Sequence, residues 1–312
     1  MKKLISIVTP FFNEEESIAD YFICVEKVLN QIANIDYEII AVDDGSSDRT
    51  YEILSKFAAQ KKYLKIIKLS RNFGKEIALT AGLDSALGDA VIPLDADLQD
   101  PPEVILQMIL KWREGYKIVL AQRINRFDPW LKKFTAALFY KLASKIMDRT
   151  LPQNVGDFRL IDRVALDDIK KMRESSRFMR GVLSWVGYKT TAVQYERAAR
   201  IKGKTKYNYA TMARCAFDGI FSFSTFPIRL ITYVGLLISI CSFLYGVVII
   251  CAKLFFDQGI PGYASIMSVI LFMGGINFIF IGIIGEYVGR IFNEVKNRPL
   301  YLVEEIIENK NS

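Results

Sequence analysis

The sequence predicts an α/β domain built on a mostly parallel sheet, followed by two membrane-spanning helices. Short apolar segments rich in β-branched residues alternate with segments of helical periodicity in the N-terminal part of the chain. This alternation is typical of a parallel sheet whose faces are covered by helices. Towards the C-terminus, the runs 230–252 and 258–285 contain no charged residue. Each is longer than the roughly 20 apolar residues that a helix needs to cross a bilayer.

Seven segments are predicted to be strands, and polar clusters follow the first four of them. The segments are 4–9, 37–42, 64–69, 90–94, 118–121, 156–160 and 188–195. Parallel strands end at the same edge of a sheet, and open α/β sheets bind ligands at that edge. The polar clusters are therefore expected to form one site.

Two carboxylates, Asp95 and Asp97, follow the fourth predicted strand with one residue between them. Residues i and i+2 of an extended chain point the same way, so both acids can reach one point at the end of the strand. Hard divalent cations such as Mg²⁺ or Mn²⁺ take carboxylate oxygens and bind diphosphates. An acidic turn without a function has the same local sequence, so the neighbouring motifs must decide between the two interpretations.

Composition excludes several kinds of site. The chain has 0 histidines, so a Ser-His-Asp triad and a histidine metal site are ruled out. Its 4 cysteines form no C-x-x-C pair, which argues against a disulfide framework or a thiolate metal site. Neither G-x-G-x-x-G nor G-x-x-x-x-G-K-[ST] occurs, so dinucleotide-binding and P-loop folds have no motif to support them.

The formal net charge of +7 indicates an anionic partner, either nucleic acid or membrane lipid. Basic residues flank the two uncharged runs, with Arg229 before them and Arg290, Lys296 and Arg298 after them. The positive-inside rule then places both ends of the helix pair in the cytoplasm. The membrane explains the charge better than nucleic acid does, and no nucleic-acid partner is expected. The short apolar run before Pro10 is followed by glutamates and is predicted to be a first strand rather than a signal peptide.

These observations predict four parts in the chain. They are a cytoplasmic domain at 1–207, an interfacial juxtamembrane segment at 208–227, two transmembrane helices within 228–289 (about 228–252 and 262–287) and a cytoplasmic tail at 290–312. A basic amphipathic segment at 130–146 is predicted either to pack on the sheet or to lie on an anionic membrane surface. In the tail, 300–307 is expected to be ordered, with a partner that the sequence leaves open. Small residues in the second span, such as Gly274 and Gly282, permit close helix packing and a homo-oligomer.

Six motifs occur in order along the chain and carry a resemblance. They are T-P-F-F-N-E at 9–14, V-D-D-G-S-S-D at 42–48, R-N-F-G-K at 71–75, D-A-D-L-Q-D-P-P at 95–102, G-D-F-R-L at 156–160 and K-G-K-T-K-Y at 202–207. Together they resemble the family 2 glycosyltransferases with the GT-A fold. More narrowly, they are similar to the polyprenyl-phosphate glycosyltransferases, which include dolichol-phosphate mannose synthase and the GtrB-type bactoprenol glucosyltransferases. The helix pair matches the GtrB-type arrangement, while Thr205 stands where a serine is expected.

The resemblance implies a site for a nucleotide sugar and a divalent cation. Asp95 and Asp97 would hold Mg²⁺ or Mn²⁺ against the diphosphate, and other carboxylates would accept hydrogen bonds from the base and the sugar hydroxyls. Asp97 and Asp157 are the implied catalytic residues, with Asp157 as an orienting group or a modest proton acceptor. The implied nucleotide- and donor-binding residues are Pro10, Asn13, Glu14, Asp43, Asp44, Ser46, Gly74, Lys75, Asp95, Ala96, Asp97, Gln99 and Asp100.

The acceptor that the resemblance implies is a polyprenyl phosphate. A phosphate monoester has a second pKa near 6, so its oxygen is largely anionic at pH 7 and needs no strong general base. Cationic side chains suit such a phosphate. The expected acceptor-binding residues are Arg123, Arg126, Arg200, Lys204 and Lys206. A second interpretation of this basic cluster is that it only contacts anionic lipid headgroups.

The expected function is inverting transfer of a sugar, with UDP-glucose as the first choice of donor, to undecaprenyl phosphate in the plasma (inner) membrane. Such a product would serve glycan or O-antigen modification. One alternative is a GDP-mannose-dependent activity like that of dolichol-phosphate mannose synthase. Another is a non-catalytic membrane scaffold that binds nucleotides. A processive polysaccharide synthase would need more membrane helices and a Q-x-x-R-W motif, which the chain lacks.

Overall fold

The structure is a computed structural model of the 312-residue chain. It describes residues 2–124, 155–174, 182, 185–196, 226–256 and 262–308. The chain divides into two compact units, one formed by Met1–Arg214 with Pro299–Ser312 and the other by Cys215–Arg298. The predicted amphipathic segment 130–146 and the segment 208–225 lie outside the described residues.

The described part of the first unit contains eight strands and five helices, and all seven predicted strand segments are strands. In chain order the elements are β1 (Lys3–Phe11), α1 (Ile18–Leu29), β2 (Ile35–Asp43), α2 (Thr50–Gln60), β3 (Leu64–Leu69), α3 (Lys75–Ser85), β4 (Ala90–Pro93), α4 (Val104–Arg113), β5 (Ile118–Arg123), β6 (Val155–Asp162), α5 (Arg163–Lys171), β7 (Thr190–Tyr195) and β8 (Val303–Glu308).

The strands form one sheet in the order β7-β5-β6-β4-β1-β2-β3-β8. Four neighbouring pairs are parallel, namely β1 with β2, β1 with β4, β2 with β3, and β5 with β7. Strand β6 is antiparallel to both of its neighbours, β4 and β5, and β8 is antiparallel to β3. The sheet is therefore mixed: the expected parallel arrangement holds for β1 to β4, and the reversals come with β6 and β8.

The central strand β1 is buried on both faces because helices cover the sheet on each side. Ile5 and Ile7 on one face of the strand have no exposed surface, and neither does Val8 on the other face. A mostly apolar segment, interrupted here by the buried Ser6, is typical of a strand covered on both faces. From α1, Tyr21 packs edge-on against Phe11 at the end of β1, with 5.4 Å between the ring centroids. This packing fixes the end of β1, from which a polar loop begins.

Strand β8 covers the edge of the sheet that β3 would otherwise expose. The backbone N–H of Ser70 donates to the carbonyl of Leu302, 3.0 Å away, just before the β8 pairing begins. Ile307 packs against the core, and the Tyr301 hydroxyl donates to Asp84 at 2.9 Å. The edge strand on this side is thereby β8, whose glutamates discourage pairing with another chain. The partner of the ordered tail segment, which the sequence left open, is thus β3.

The second unit consists, in its described part, of the helices α6 (Phe226–Phe256) and α7 (Tyr263–Val295). Both are long and apolar enough to cross a membrane, with mean hydropathies of 2.1 over Phe226–Val248 and 2.3 over Ser265–Val295. Large apolar side chains such as Phe243 and Phe278 are exposed along them. In water such surfaces would be costly, whereas lipid accommodates them. The two helices coincide with the two predicted spans, and α7 continues beyond the predicted end.

Ending the chain at Leu302, which removes β8, is expected to destabilise the first unit by about 2 kcal/mol or more, because the β3 hydrogen bonds are lost. Glu304→Gln is the matched control, since its ion pair with Lys68 at 2.9 Å is partly exposed and such pairs contribute at most about 1 kcal/mol. Thermal unfolding of the detergent-solubilised proteins would measure both. Equal melting temperatures for the shortened and full-length chains would show that β8 is not a structural part of the sheet.

Candidate active site

The reversal of β6 brings Asp157 to the end of β4. Strands β1 to β4 all end at one edge of the sheet, here called the carboxyl edge, and antiparallel β6 begins there. The register pairs Ala90 with Asp162 and Val91 with Ile161. Continued along both strands, it sets Asp95 opposite Asp157. Two acids far apart in sequence therefore face each other at the site.

Lys75 joins these two acids. Its Nζ is 2.8 Å from both carboxylate oxygens of Asp95 and 3.0 Å from Oδ2 of Asp157. The side chain of Asp157 is 14% exposed, against 29% for Asp95 and 39% for Lys75. The three charged groups thus lie partly exposed at the carboxyl edge, with Asp157 the most enclosed.

Burial and the neighbouring charges shift the pKa values of this cluster. Burial raises the pKa of Asp95, and the nearby Asp157 carboxylate raises it further, while the Lys75 ammonium opposes both. Burial by itself would lower the pKa of Lys75, but the Asp95 and Asp157 carboxylates outweigh it, so the pKa is raised. Lys75 therefore stays charged at neutral pH.

Asp44, at the end of β2, holds the loop that carries Lys75. Its carboxylate accepts hydrogen bonds from the backbone N–H groups of Phe73, at 2.8 Å, and Gly74, at 2.9 Å. Gly74 has φ +97°, a conformation that suits glycine, and α3 begins at the next residue. Asp44 is 2% exposed, and burial raises its pKa although the two hydrogen bonds lower it. The resemblance implied a nucleotide ligand at this position, and the structure shows Asp44 bonded to the loop.

One carboxylate oxygen of Asp43 accepts no hydrogen bond from the described residues. Its side chain is fully buried, and Oδ2 accepts from the Ser46 N–H at 3.4 Å. Oδ1 has no hydrogen-bond partner in the part of the chain that the structure describes. Burial raises the pKa of Asp43, and the hydrogen bonds from Ser46 oppose this. A buried acceptor without a partner is costly, so this oxygen is a candidate to accept from a ligand N–H.

The loops after β1 and β2 are bonded to each other. The Asn13 N–H donates to Oγ of Ser46 at 3.0 Å, and Asn13 Oδ1 accepts from the Ser47 N–H at 2.9 Å. The Glu14 N–H donates to Oγ1 of Thr50 at 2.9 Å. Pro10 lies beside Val42 in the sheet. Pro10, Asn13, Glu14 and Ser46 are thereby brought together, and their nucleotide-binding roles stay a prediction.

The turn after Asp95 has a strained backbone. Leu98 has φ +51°, unusual for a bulky residue, and its side chain is 7% exposed within the core cluster, as is Ala96 at 5%. Asp97 Oδ1 accepts from the Gln99 N–H at 3.2 Å, which supports the turn. Strain of this kind persists where the surrounding structure enforces it, and often at functional sites.

A buried network of three residues connects this turn with β5 and β7. Arg123 Nε donates to the Tyr195 hydroxyl at 2.9 Å, and Nη2 donates to Asp100 Oδ1 at 3.3 Å. The Tyr195 hydroxyl donates to the same Asp100 oxygen. Burial raises the pKa of Tyr195, and so does Asp100, so the phenol stays protonated. The resemblance implied that Asp100 binds the sugar donor and that Arg123 binds the acceptor phosphate. In the structure these two residues are hydrogen-bonded to each other.

Two residues of the site were not predicted, Tyr195 and Arg159. Arg159 is 3% exposed and donates to the carbonyls of Gly156 and, at 3.2 Å, of Asp157. Its Nη2 is 3.9 Å from Asp157 Oδ1. Arg159 lies inside the G-D-F-R-L motif, so a charged residue in a buried strand was an available signal. Tyr195 is the last residue of a predicted strand, and its sequence context gave no signal of a role in the site.

Four implied acceptor residues cannot be placed. Arg126, Arg200, Lys204 and Lys206 lie outside the described residues. Of that set, the structure describes Arg123. Its guanidinium lies against Gly156, where a Cβ atom would be 2.8 Å from Nη2. Arg123 is therefore next to the residue that precedes Asp157.

Comparison with known proteins identifies the family. The sequence model described as "Glycosyl transferase family 2" matches residues 6–170, and that described as "GtrB C-terminal hairpin" matches residues 226–291. The chain belongs to glycosyl transferase family 2. The first match spans the carboxyl edge from β1 to α5, and the second covers α6 and most of α7. The α/β architecture is thus that of a glycosyltransferase, as the motifs predicted.

Several relatives are similar over almost the whole chain. An uncharacterized glycosyltransferase of Synechocystis sp. is 48% identical over 97% of this chain and 95% of its own length. The prophage bactoprenol glucosyl transferase homolog of Escherichia coli is 46% identical over 97% of this chain and 99% of its own. The bactoprenol glucosyl transferase of Shigella phage SfII is 47% identical over 96% and 97%.

Gly45→Ala tests how closely the loops after β2 and β3 pack. Gly45 has φ +68°, and a Cβ there would be 2.5 Å from the Arg71 carbonyl carbon. Gly115→Ala is the matched control, because Gly115 has φ +92° with open space around it. The backbone strain common to both costs about 1–2 kcal/mol, and the clash should add about 1–3 kcal/mol. Unfolding and UDP-binding measurements should show weaker binding in Gly45→Ala only; unchanged binding would contradict the packing.

Tyr195→Phe tests the buried network. The hydroxyl is lost from the Asp100–Arg123 pair, and a buried group without its partner costs about 1–3 kcal/mol. Tyr188→Phe removes a similar bond to Asp168 at a more exposed position, so it should cost under about 1 kcal/mol. Denaturant unfolding of the two variants would compare them. Equal costs would show that the network does not stabilise the site.

Proposed function

We propose that this glycosyltransferase moves glucose from UDP-glucose to a polyprenyl phosphate, with inversion at the anomeric carbon. The observation that carries the proposal is that one chain combines the carboxyl-edge cluster of Asp95, Asp157 and Lys75 with an apolar helix pair. Relatives that are 46% and 47% identical over nearly the whole chain are named as a bactoprenol glucosyl transferase homolog and a bactoprenol glucosyl transferase. A lipid acceptor explains why the catalytic unit is followed by such helices.

The geometry supports a nucleotide at the ends of β1 and β2. The buried Oδ1 of Asp43 is an acceptor without a partner among the described residues, and the imide N–H of uracil is a donor that would complete it. The bonded loops that contain Asn13 and Ser46 would enclose the base and the ribose. Asp44 contributes indirectly, since it holds the loop that leads to Lys75.

The carboxylate oxygens after β4 suit a divalent cation. Asp95 and Asp97 offer hard carboxylate oxygens, as Mg²⁺ and Mn²⁺ require. No group of three or more acidic or cysteine side chains that could hold a metal occurs in the described residues. Such an ion would therefore take its other ligands from the diphosphate and water, as Mg²⁺ usually does. When bound, it would neutralise charge that develops on the leaving diphosphate.

On the acceptor side, Asp157 and Arg123 have complementary tasks. The lipid phosphate is largely anionic at pH 7 and can attack the anomeric carbon directly. Asp157, ion-paired with Lys75 and near Arg159, orients the attacking group and accepts any remaining proton. Arg123, with Arg126, Arg200, Lys204 and Lys206, supplies positive charge for the phosphate. Direct displacement then gives a β-linked product from an α-linked donor.

The proposed location is the plasma membrane, with the catalytic unit in the cytoplasm. The sheet receives strands from before α6 and, through β8, from after α7. Since both ends of the helix pair lead to the same sheet, the chain would cross the bilayer twice. The basic residues that flank the pair favour the cytoplasmic side. The homo-oligomer stays a prediction from the small residues of α7.

The function is tested with a panel of radiolabelled nucleotide sugars. The purified full-length protein receives each donor with polyprenyl phosphate and Mn²⁺ or Mg²⁺, and label that enters the organic phase is counted. We expect transfer from UDP-glucose, loss of transfer with a chelator, and a loss of at least about 100-fold in Asp97→Asn and Asp157→Asn.

Other results would change the proposal in different ways. Transfer from GDP-mannose alone would keep the lipid acceptor and replace the donor. If no donor gives lipid-linked label although nucleotide binds, the non-catalytic scaffold is favoured instead. Lys111→Met, an exposed change on α4, is the control that should retain full activity.

A further inference from the structure

The contacts of Lys75 conflict with a metal ion at Asp95. The ammonium group lies 2.8 Å from both Asp95 oxygens, which are the oxygens that the proposed site would give to the cation. Two cations a few ångströms apart repel each other strongly in a partly buried site. Lys75 and a divalent cation therefore cannot both use the Asp95 carboxylate in the way that Lys75 uses it here.

We propose that Lys75 is the resident counter-cation of the free protein, which bridges Asp95 and Asp157 until the nucleotide diphosphate arrives with its metal ion. The metal then takes Asp95, and Lys75 moves its ammonium group from Asp95 to the diphosphate. Its contact with Asp157 is retained. The inference rests on the proposed nucleotide-sugar function and adds an order of binding to it.

Charge balance is the physical reason for a resident cation. Asp95 and Asp157 face each other across β4 and β6, with Asp97 nearby, so the free site concentrates negative charge. Arg159 Nη2 lies 3.9 Å from Asp157 Oδ1. The Lys75 ammonium compensates both facing acids at 3.0 Å or less. When metal and diphosphate enter together they bring charges of both signs, so each carboxylate keeps a cationic partner after the exchange.

The surrounding structure lets the side chain move while the backbone stays in place. The N–H groups of Phe73 and Gly74 are bonded to buried Asp44, which anchors the start of α3. The Lys75 side chain itself is 39% exposed. A lysine stem has four rotatable bonds, so its ammonium can be transferred over a few ångströms without moving the helix.

The proposal predicts that the free protein binds metal weakly and that the nucleotide removes this restraint. Mn²⁺ binding to the purified full-length protein can be followed by the electron paramagnetic resonance signal of free Mn²⁺, with and without UDP. No lipid acceptor and no turnover are involved. The variants are Lys75→Met, which removes the charge, Lys75→Arg, which keeps it, and Lys111→Met, which removes a charge elsewhere.

In the absence of UDP, Lys75→Met should bind Mn²⁺ more tightly than wild type, on the order of tenfold, because the competing cation is gone. Lys75→Arg should bind at or below the wild-type affinity, and Lys111→Met should match wild type. UDP should increase Mn²⁺ affinity much more in wild type than in Lys75→Met. If Mn²⁺ affinity depends on UDP in wild type but hardly in Lys75→Met, Lys75 is the counter-cation that the metal displaces.

Two results would overturn the proposal. One is equal or weaker Mn²⁺ binding by Lys75→Met, with Lys75→Gln as a second neutral variant if the first does not fold. The other, which needs no variant, is wild-type protein that binds Mn²⁺ as tightly without UDP as with it. If neither UDP nor GDP binds, the proposed function fails, whereas the comparison of wild type with Lys75→Met in Mn²⁺ alone still decides the role of Lys75.

Discussion

The ion bridge from Lys75 to Asp95 and Asp157 is the interaction on which the site depends. Two carboxylates that face each other at the edge of a sheet repel, and each is partly removed from water. A single ammonium group within 3.0 Å of both compensates them. The bridge also joins three separate parts of the chain, since Lys75 begins α3, Asp95 follows β4 and Asp157 belongs to β6. Changing Lys75 removes the ammonium group that both acids contact, whereas changing either acid leaves Lys75 paired with the other.

The rest of the site is organised around keeping these groups in place. Asp44 bonds the backbone before Lys75, and Gly45 allows the neighbouring loop to approach within a distance that no side chain would permit. On the other side of Asp95, buried Asp100 joins Arg123 and Tyr195. Buried networks of this kind specify a single arrangement when all their members are bonded. Buried contacts therefore hold the backbone on both sides of Asp95, whereas the Lys75 side chain is partly exposed.

The tail joins the two long apolar helices to the sheet and also supplies a strand of that sheet. After α7 the chain returns to the sheet as β8, and Leu302 bonds the backbone of Ser70 at the start of the loop that leads to Lys75. Tyr301 bonds Asp84 near the end of α3. Ser70 and Asp84, near the two ends of the segment that carries Lys75, are thus held by residues that follow the second helix. The hairpin matches a family model, and β8 pairs with β3. The C-terminal segment therefore belongs to the architecture of the enzyme.

The sequence by itself determined the strands of the sheet, the two apolar helices and the group of residues near the site, because hydrophobic periodicity and motif order are local properties of the chain. Asp95 and Asp97 could be identified because they directly follow a predicted strand with one residue between them. Only the tertiary structure decided that β6 runs against β4, that Lys75 bridges Asp95 and Asp157, that Asp44 supports a loop, that Tyr195 completes a network and that β8 covers β3. Each of these depends on contacts between residues distant in sequence, and periodicity records how deeply a residue is buried without recording which partner buries it.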